Sequence, residues 1–526
     1  MSKSLLAALV LGLLATSIPA AHAAHFTLQP LGTYASGTFN ESAAEIVAYD
    51  AATQRAFVVN ANDATVDVLD IADPTSPQRI AAIDVTGAAP SLGAANSVAV
   101  SNGTLAVAIE RNPKQDNGVV AFYDTNSLAL LNTVTVGALP DMLTFTPDGK
   151  TVVVANEGEP DDDYVVDPEG SISIIDVSTG VENASVRTAG FARFNKQRKQ
   201  LIRRGVRVFG PGASVAQDLE PEYIAVGPNG RLAWVALQEN NALAVVDLRK
   251  AKVLRILPLG TKDHSVAGNE LDASNRDDSI NIRSWPVVGM YQPDAIATYR
   301  VRGRNFIITA NEGDARDYDG FSEETRVGDL ALDPDAYPDA QALQADEQLG
   351  RLLSTTASGD PDGDGLVNQV HAYGARSFSI WTTQGKLVWD SGNAFESITA
   401  NLLPEHFNST NDDNDSFDNR SDDKGPEPEG VVIGKVAGEY LAFVGLERVG
   451  GIMVYNVTDP YAPYFESYVT TRDFSVEDVE SDAAGDLGPE GLTFVSAEDS
   501  PNGSPLLIVG SEVSGTTTIF SVQQAQ

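Results

Sequence analysis

There is no cysteine anywhere in the 526 residues. A disulfide-stapled scaffold and a thiolate metal site are both excluded, so a large apolar core must hold the fold. Histidine is nearly as scarce, with five in all, and His22 and His25 lie in or beside the N-terminal apolar segment. That leaves little material for imidazole-centred catalysis or zinc binding. No Ser-His-Asp arrangement, phosphate-cradling glycine loop or zinc spacing is found. Positive charge is short as well: 35 Lys+Arg stand against 73 Asp+Glu, a formal charge of −38. Such a surface repels phosphate backbones, so nucleic acid is not an expected partner and cations are.

Long hydrophobic runs are confined to the start of the chain. "MSKSLLAALVLGLLATSIPAAHAA" places Lys3 before an apolar run from Leu5 to Leu14 and small residues around Ala21-His22-Ala23. This is the order of a secretory signal peptide cut after Ala23. Residues 1–23 are therefore read as a leader and 24–526 as one exported domain, periplasmic or extracellular. No later stretch is apolar for long enough to span a bilayer.

What the chain has in abundance is one repeated unit. An acid or amide precedes a short apolar strand, a Gly/Asn/Pro turn follows, and a second apolar strand ends in a polar cluster. A third strand then often closes in Asp. Copies begin at "AEIVAYD" (44–50), "ANSVAVS" (95–101), "PDMLTFT" (140–146), "PEYIAVG" (221–227), "PDAIATY" (293–299), "PEGVVIG" (428–434) and "PEGLTFV" (489–495). Fourth strands follow most third strands, as in "KVLRILPL" (252–259) and "KLVWDSG" (386–392). The seventh copy lacks one, while "HFTLQPLGTYASG" (25–37) precedes the first copy unclaimed. The expected fold is all-β: a seven-bladed β-propeller closed by the N-terminal strand, with long loop insertions on one face. Two open sandwiches are the alternative, but they give no reason for seven equivalent copies.

In each copy the acid before strand one and the acid after strand two are separated by one antiparallel hairpin, so both fall on the same end of the sheet. The strand-two set is Glu110, Glu157, Glu239, Glu312, Glu447 and Glu512, with Asn60 and Asn62 in the first copy. The strand-one set is Asp141, Glu222, Asp294, Glu429 and Glu490, with Glu45 slightly displaced and Asn96 in the second copy. Radial repetition would gather them into two rings of carboxylates. Like charges so close must take up protons or a cation. Oxygen ligands without His or Cys suit Ca²⁺, or Mg²⁺, over zinc or copper. The alternative is that these are turn acids paired with backbone N–H groups or arginines.

Insertions at 178–218, 261–291, 314–375, 393–427 and 470–487 are expected to emerge as loops on the acidic face. One of them carries Asp360, Asp362 and Asp364 before Gly365, the first half of a calcium loop that lacks its twelfth-position Glu. The basic run "RFNKQRKQLIRR" (193–204) reads as a short helix capped by Asn195, ended by Gly205 and bridged to acidic loops. Arg111 and Arg448 beside ring glutamates, with Arg316, Arg376 and Arg420 in the loops, are candidates to hold an anion over bound metal.

At "NEGDARDYDGF" (311–321), "NELDASNRDDSINI" (269–282), "RSDDKGPEPEG" (420–430) and "GSEVSGTTTIF" (510–520) the chain resembles the bacterial choice-of-anchor I proteins and the animal mesenchyme-specific cell-surface glycoproteins. The resemblance covers essentially the whole mature chain. It implies a secreted or surface propeller that handles calcium, and some bacterial relatives carry an alkaline phosphatase label. Many relatives continue into a C-terminal sorting signal; this chain ends shortly after its last strand motif, so none is expected. Two functions follow from residues and resemblance together. One is a calcium-loaded module binding a partner, a mineral or an anionic ligand. The other is a metal-dependent phosphoesterase acting on a phosphate-bearing small molecule.

Overall fold

The computed structural model describes residues 26–524; the expected signal peptide, residues 1–23, lies outside them. Among the described residues there are nine separate open sheets, of which seven have four strands in simple antiparallel order. The first is built from Val47–Asp50, Arg55–Asn60, Thr65–Asp70 and Gln78–Asp84. The next three occupy Leu92–Ala138, Pro140–Gly190 and Ile224–Pro258. The fifth takes Ile296–Val301, Arg304–Asn311, Ser377–Thr382 and Leu387–Asp390, and the sixth runs from Pro428 to Val469. In the seventh, Pro489–Val495, Leu506–Ser511 and Thr516–Gln524 are joined by Phe26–Ala35, which pairs antiparallel along the full length of Thr516–Gln524. The two ends of the chain thus share one sheet.

The burial gradient explains the sequence pattern. Middle strands such as Arg55–Asn60, Leu232–Leu237 and Ala242–Asp247 are buried on both faces, whereas fourth strands such as Gln78–Asp84 and Ser185–Gly190 are largely exposed. A strand covered on both sides reads as a continuous apolar run, as in "TVVVAN" and "LAFVGL". Seven apolar clusters fill the spaces between successive sheets. Val153, Ile172 and Val235 join the third to the fourth, and Ile308, Phe378 and Val444 join the fifth to the sixth. The succession returns to its start: Ile508 and Ile519 of the seventh sheet pack on Val47 and Val58 of the first.

The insertions are not plain loops. Thr261–Asp263 and Val287–Met290 from one of them join Glu324–Arg326, Leu353–Thr355 and Val370–Ala372 from another in a five-stranded sheet. It has its own core of Trp285, Val327, Tyr337 and Leu352. These strands are three or four residues long, too short for a periodicity to show in the sequence. The 178–218 segment contains the fourth strand of the third sheet, Ser185–Gly190, which pairs with Ser171–Asp176. The basic helix spans Arg198–Arg203, but Asn195 does not cap it; its Oδ1 accepts from the Ala216 N–H at 2.9 Å. Arg198 donates to the carbonyls of Ala213 and Val208 rather than bridging to acidic loops.

Candidate metal-binding site

A recurring local device aims the acids. In the third, sixth and seventh sheets the first strand opens with Pro-acid: Pro140-Asp141, Pro428-Glu429 and Pro489-Glu490. Each proline sits opposite the end of strand two, and the register slips directly after it, at the acid. Proline removes a ladder donor and the bulge turns the next side chain out of the ordinary alternation. The residue before each proline, Leu139, Glu427 or Gly488, has positive φ. Its carbonyl accepts the N–H of the strand-two acid: Glu157 to Leu139 at 2.8 Å, Glu447 to Glu427 at 2.9 Å and Glu512 to Gly488 at 2.8 Å. Both acids of a copy are therefore tied to one bend. Pro221-Glu222 and Pro293-Asp294 place their acids just before the first strands of the fourth and fifth sheets.

These bends converge. One cavity of about 60 Å³ is lined by residues of all seven sheets or the bends that open them, including Ile46, Asn96, Asp141, Tyr223, Asp294, Gly430 and Glu490. Around it, carboxylate oxygens come within 4.8 Å of one another in three groups: Glu45 with Glu490 and Glu512, Asp294 with Glu312 and Glu429, and Glu312 with Glu427 and Glu447. Burial, followed by the charges of Glu239 and Glu157, raises the Glu222 carboxyl well above the usual carboxylate range. Burial and neighbouring acids do the same to Asp294, Glu429 and Glu490. They also push Asp141 up to about 7 and Glu45 to about 8. Glu157, Glu239, Glu447 and Glu512 are raised as well, burial being the largest cause for each.

Not every expected ligand is free to serve. Glu312 accepts from Lys424 at 2.6 Å and from Gln238 at 2.9 Å. Glu447 pairs with Arg448 at 2.9 Å and accepts from Asn411 at 3.0 Å. The arginine-paired reading describes Glu447, whereas Glu312 is answered by a lysine and an amide that it does not name. Glu110 takes the Ala94 N–H at 3.4 Å and, like Asp141, Glu157, Glu222 and Glu239, belongs to none of the three carboxylate groups. Other acids differ. Glu222, 7% exposed, takes no N–H or hydroxyl donor on either oxygen and meets Glu239 carboxyl to carboxyl, while Glu239, Glu429 and Glu490 each leave Oε2 unpartnered. A buried acceptor without a donor is costly, and a cation removes that cost. The donor set is oxygen only, which fits calcium.

Asp360, Asp362 and Asp364 also come together, but outside this group. Asp360 spends its oxygens on the N–H groups of Gly363 at 2.7 Å and Gly365 at 2.9 Å, and Asp364 accepts from Leu366. The arginines expected to hold an anion are engaged internally. Arg316, 1% exposed, pairs with Asp218 at 3.0 Å and Glu220 at 2.6 Å. Arg376 is buried against Glu396 at 2.7 Å and three backbone carbonyls. Arg420 and Arg448 both pair with Glu427, and Arg111 donates to the carbonyls of Asn117 and Pro90. Glu427 and Lys424 were not singled out by the repeat, because they lie in an insertion one step before it. Although burial opposes its charge, Lys424, Arg420 and Arg448 hold the Glu427 carboxyl down to about 2.

The choice-of-anchor I domain matches residues 45–460, and the chain belongs to that family. It is 31% identical over 288 residues to a mesenchyme-specific cell surface glycoprotein of Strongylocentrotus purpuratus, which covers 48% of this chain and 37% of that protein. It is 32% identical over 192 residues to Gigasin-3a of Magallana gigas, covering 35% of this chain and 67% of that one. The chain thus spans little more than a third of the sea-urchin relative. Among solved structures, Kuenenia stuttgartiensis hydrazine synthase aligns with TM-score 0.46 at 13% identity, over 93% of this chain and 99% of that one. The Cps50 (Swd1) β-propeller domain of Myceliophteria thermophila aligns with TM-score 0.45 at 10% identity, over 94% and 99%. No helix among the described residues is long and apolar enough to cross a membrane.

Proposed function

We propose that residues 24–526 form a seven-bladed β-propeller, exported after removal of residues 1–23, whose acidic channel mouth binds calcium and through it a partner, mineral or anionic surface. Cyclic packing of the seven four-stranded sheets supports the propeller reading. The observation that carries the metal reading is the unpartnered oxygens of Glu429 and Glu490, each in a group of converging acids, at a cavity that Glu490 itself lines and that every sheet reaches. Similarity to a protein named a cell surface glycoprotein agrees with export. Calcium bound by several blades at once would also present partly coordinated ions to an anionic partner at the channel mouth.

The phosphoesterase reading lacks a comparable observation, since all five arginine candidates donate to internal partners. Calcium calorimetry and metal content of the mature protein, with a phosphomonoester assay on the same preparation, test the proposal. Calcium uptake that falls in a Glu222→Gln/Glu490→Gln variant is expected. A wild-type protein that takes up no calcium, or an uptake indifferent to both substitutions, would sink it.

A further inference from the structure

A second oxygen-rich site lies between the 261–291 and 393–427 insertions. Its two sides meet at Glu396, whose Oε2 accepts the Asp272 N–H at 3.4 Å and whose Oε1 accepts from Asn408 Nδ2 at 2.9 Å. We propose that Asp272, Asn408 and Asp418 form a buried cation site that takes one calcium ion and locks the two insertions together, with Asp277 an outer charge rather than a ligand.

Hydrogen bonding fixes which atoms remain available. Asn408 follows the helix Ala394–Leu402, and its Nδ2 donates to Glu396 Oε1 and Ser421 Oγ, both at 2.9 Å. Because a carboxylate can only accept, the amide cannot be reversed, and its Oδ1 is left without a donor at 0% exposure. Asp418 accepts from the same Ser421 hydroxyl through Oδ1, which sets it beside Asn408. Its Oδ2 is likewise without a donor, at 3% exposure. Backbone bonds from Asp418 to Phe407 and from Arg420 to Asn408, each 2.8 Å, hold the two segments in register.

Asp272 comes from the other insertion and is fully buried. It accepts from the N–H groups of Ser274 and Asn281, and Asn281 Nδ2 donates to Asp277 Oδ2 at 2.8 Å. These bonds orient the carboxylates and leave lone pairs free on both. Glu396 is answered by Arg376 at 2.7 Å, so it positions Asn408 rather than ligating. Arg376 also donates to the carbonyls of Asp272 and Ser421, one from each insertion. That leaves Asp272, Asp277 and Asp418 without a fixed positive partner. Burial, with the charges of its neighbours, pushes Asp272 up to about 7 and Asp418 to about 8. Carboxylate and amide oxygens supplied wholly by protein suit calcium better than magnesium, which keeps its water and demands a strict octahedron.

The test is to count bound calcium in the full mature protein after equilibrium dialysis, by elemental analysis. Asp418→Asn is expected to lose one equivalent that the Glu222→Gln/Glu490→Gln channel variant retains. It should also lose part of the calcium-induced rise in melting temperature. Should Asp418→Asn fail to fold, Asp277→Asn at the half-exposed rim should weaken that equivalent about tenfold, since site charge sets calcium affinity. Unchanged stoichiometry and affinity in both variants would overturn the proposal. So would a wild-type protein that holds no such equivalent while Asp418 titrates as a buried acid, because a proton then does the work assigned to calcium.

Discussion

Asp141→Asn should stabilise the metal-free protein and weaken the calcium-bound one. Burial, then the Glu159 charge, moves the Asp141 carboxyl from 3.8 to about 7. The folded state therefore holds this proton more tightly than the unfolded chain. From about pH 4 to about 7 the native protein binds more protons, so its stability falls as pH rises. This rise from 3.8 to about 7 corresponds to roughly 4 kcal/mol by pH 8, at about 1.4 kcal/mol per unit. Water and ions entering the cavity reduce this, and about 1–3 kcal/mol is expected. Asparagine keeps the shape without the charge, so in chelator near pH 8 the variant should gain about that much stability. Near pH 4 the gain should vanish. In calcium the order should reverse, because a ligand charge is gone and stabilisation by the bound ion shrinks with affinity. Urea unfolding followed by tryptophan fluorescence, with chelator and with calcium at both pH values, reads all four cases. A variant equally destabilised in every condition would refute the reasoning, since Asp141 would then act through packing or a hydrogen bond.

Chelation should lower the melting temperature of the wild-type protein, and calcium should restore it better than sodium at matched ionic strength; equal recovery would leave only screening. Arg316→Met should cost about 3–5 kcal/mol in denaturant unfolding, because Asp218 and Glu220 would be left as uncompensated buried charges. Glu427 contributes stability above its unfolded pKa near 4.5 that is lost as pH falls toward about 2. Glu427→Gln should therefore remove part of the acid unfolding transition, and an unchanged acid limb by circular dichroism would count against the ion cluster. Deleting residues 24–38 should expose the edge of Thr516–Gln524 and cause aggregation, visible by size-exclusion chromatography; a monomer with unchanged melting temperature would contradict that.

Much of this protein was legible in one dimension. Strands buried on both faces produce unbroken apolar runs, so the hairpins at 151–176 and 304–382 announced themselves in composition. Antiparallel geometry then required Asp141 and Glu157, or Glu490 and Glu512, to end on one side, whatever the packing. The unclaimed strand at 26–35 likewise had one edge to complete.

Tertiary structure decided which acids remain without partners. Lys424 and Gln238 come from distant positions to answer Glu312, and Asn411 does so for Glu447; no local pattern encodes such meetings. Glu222 and Glu490, the acids that precede strand one, meet mainly other acids, and oxygens of both stay without an N–H or hydroxyl donor. The five-stranded sheet built from two insertions was invisible for the same reason, its strands being too short to carry a period and paired across long separations. Repetition along the chain determined where charge accumulates; only contacts between distant segments determined which of that charge is left for a cation.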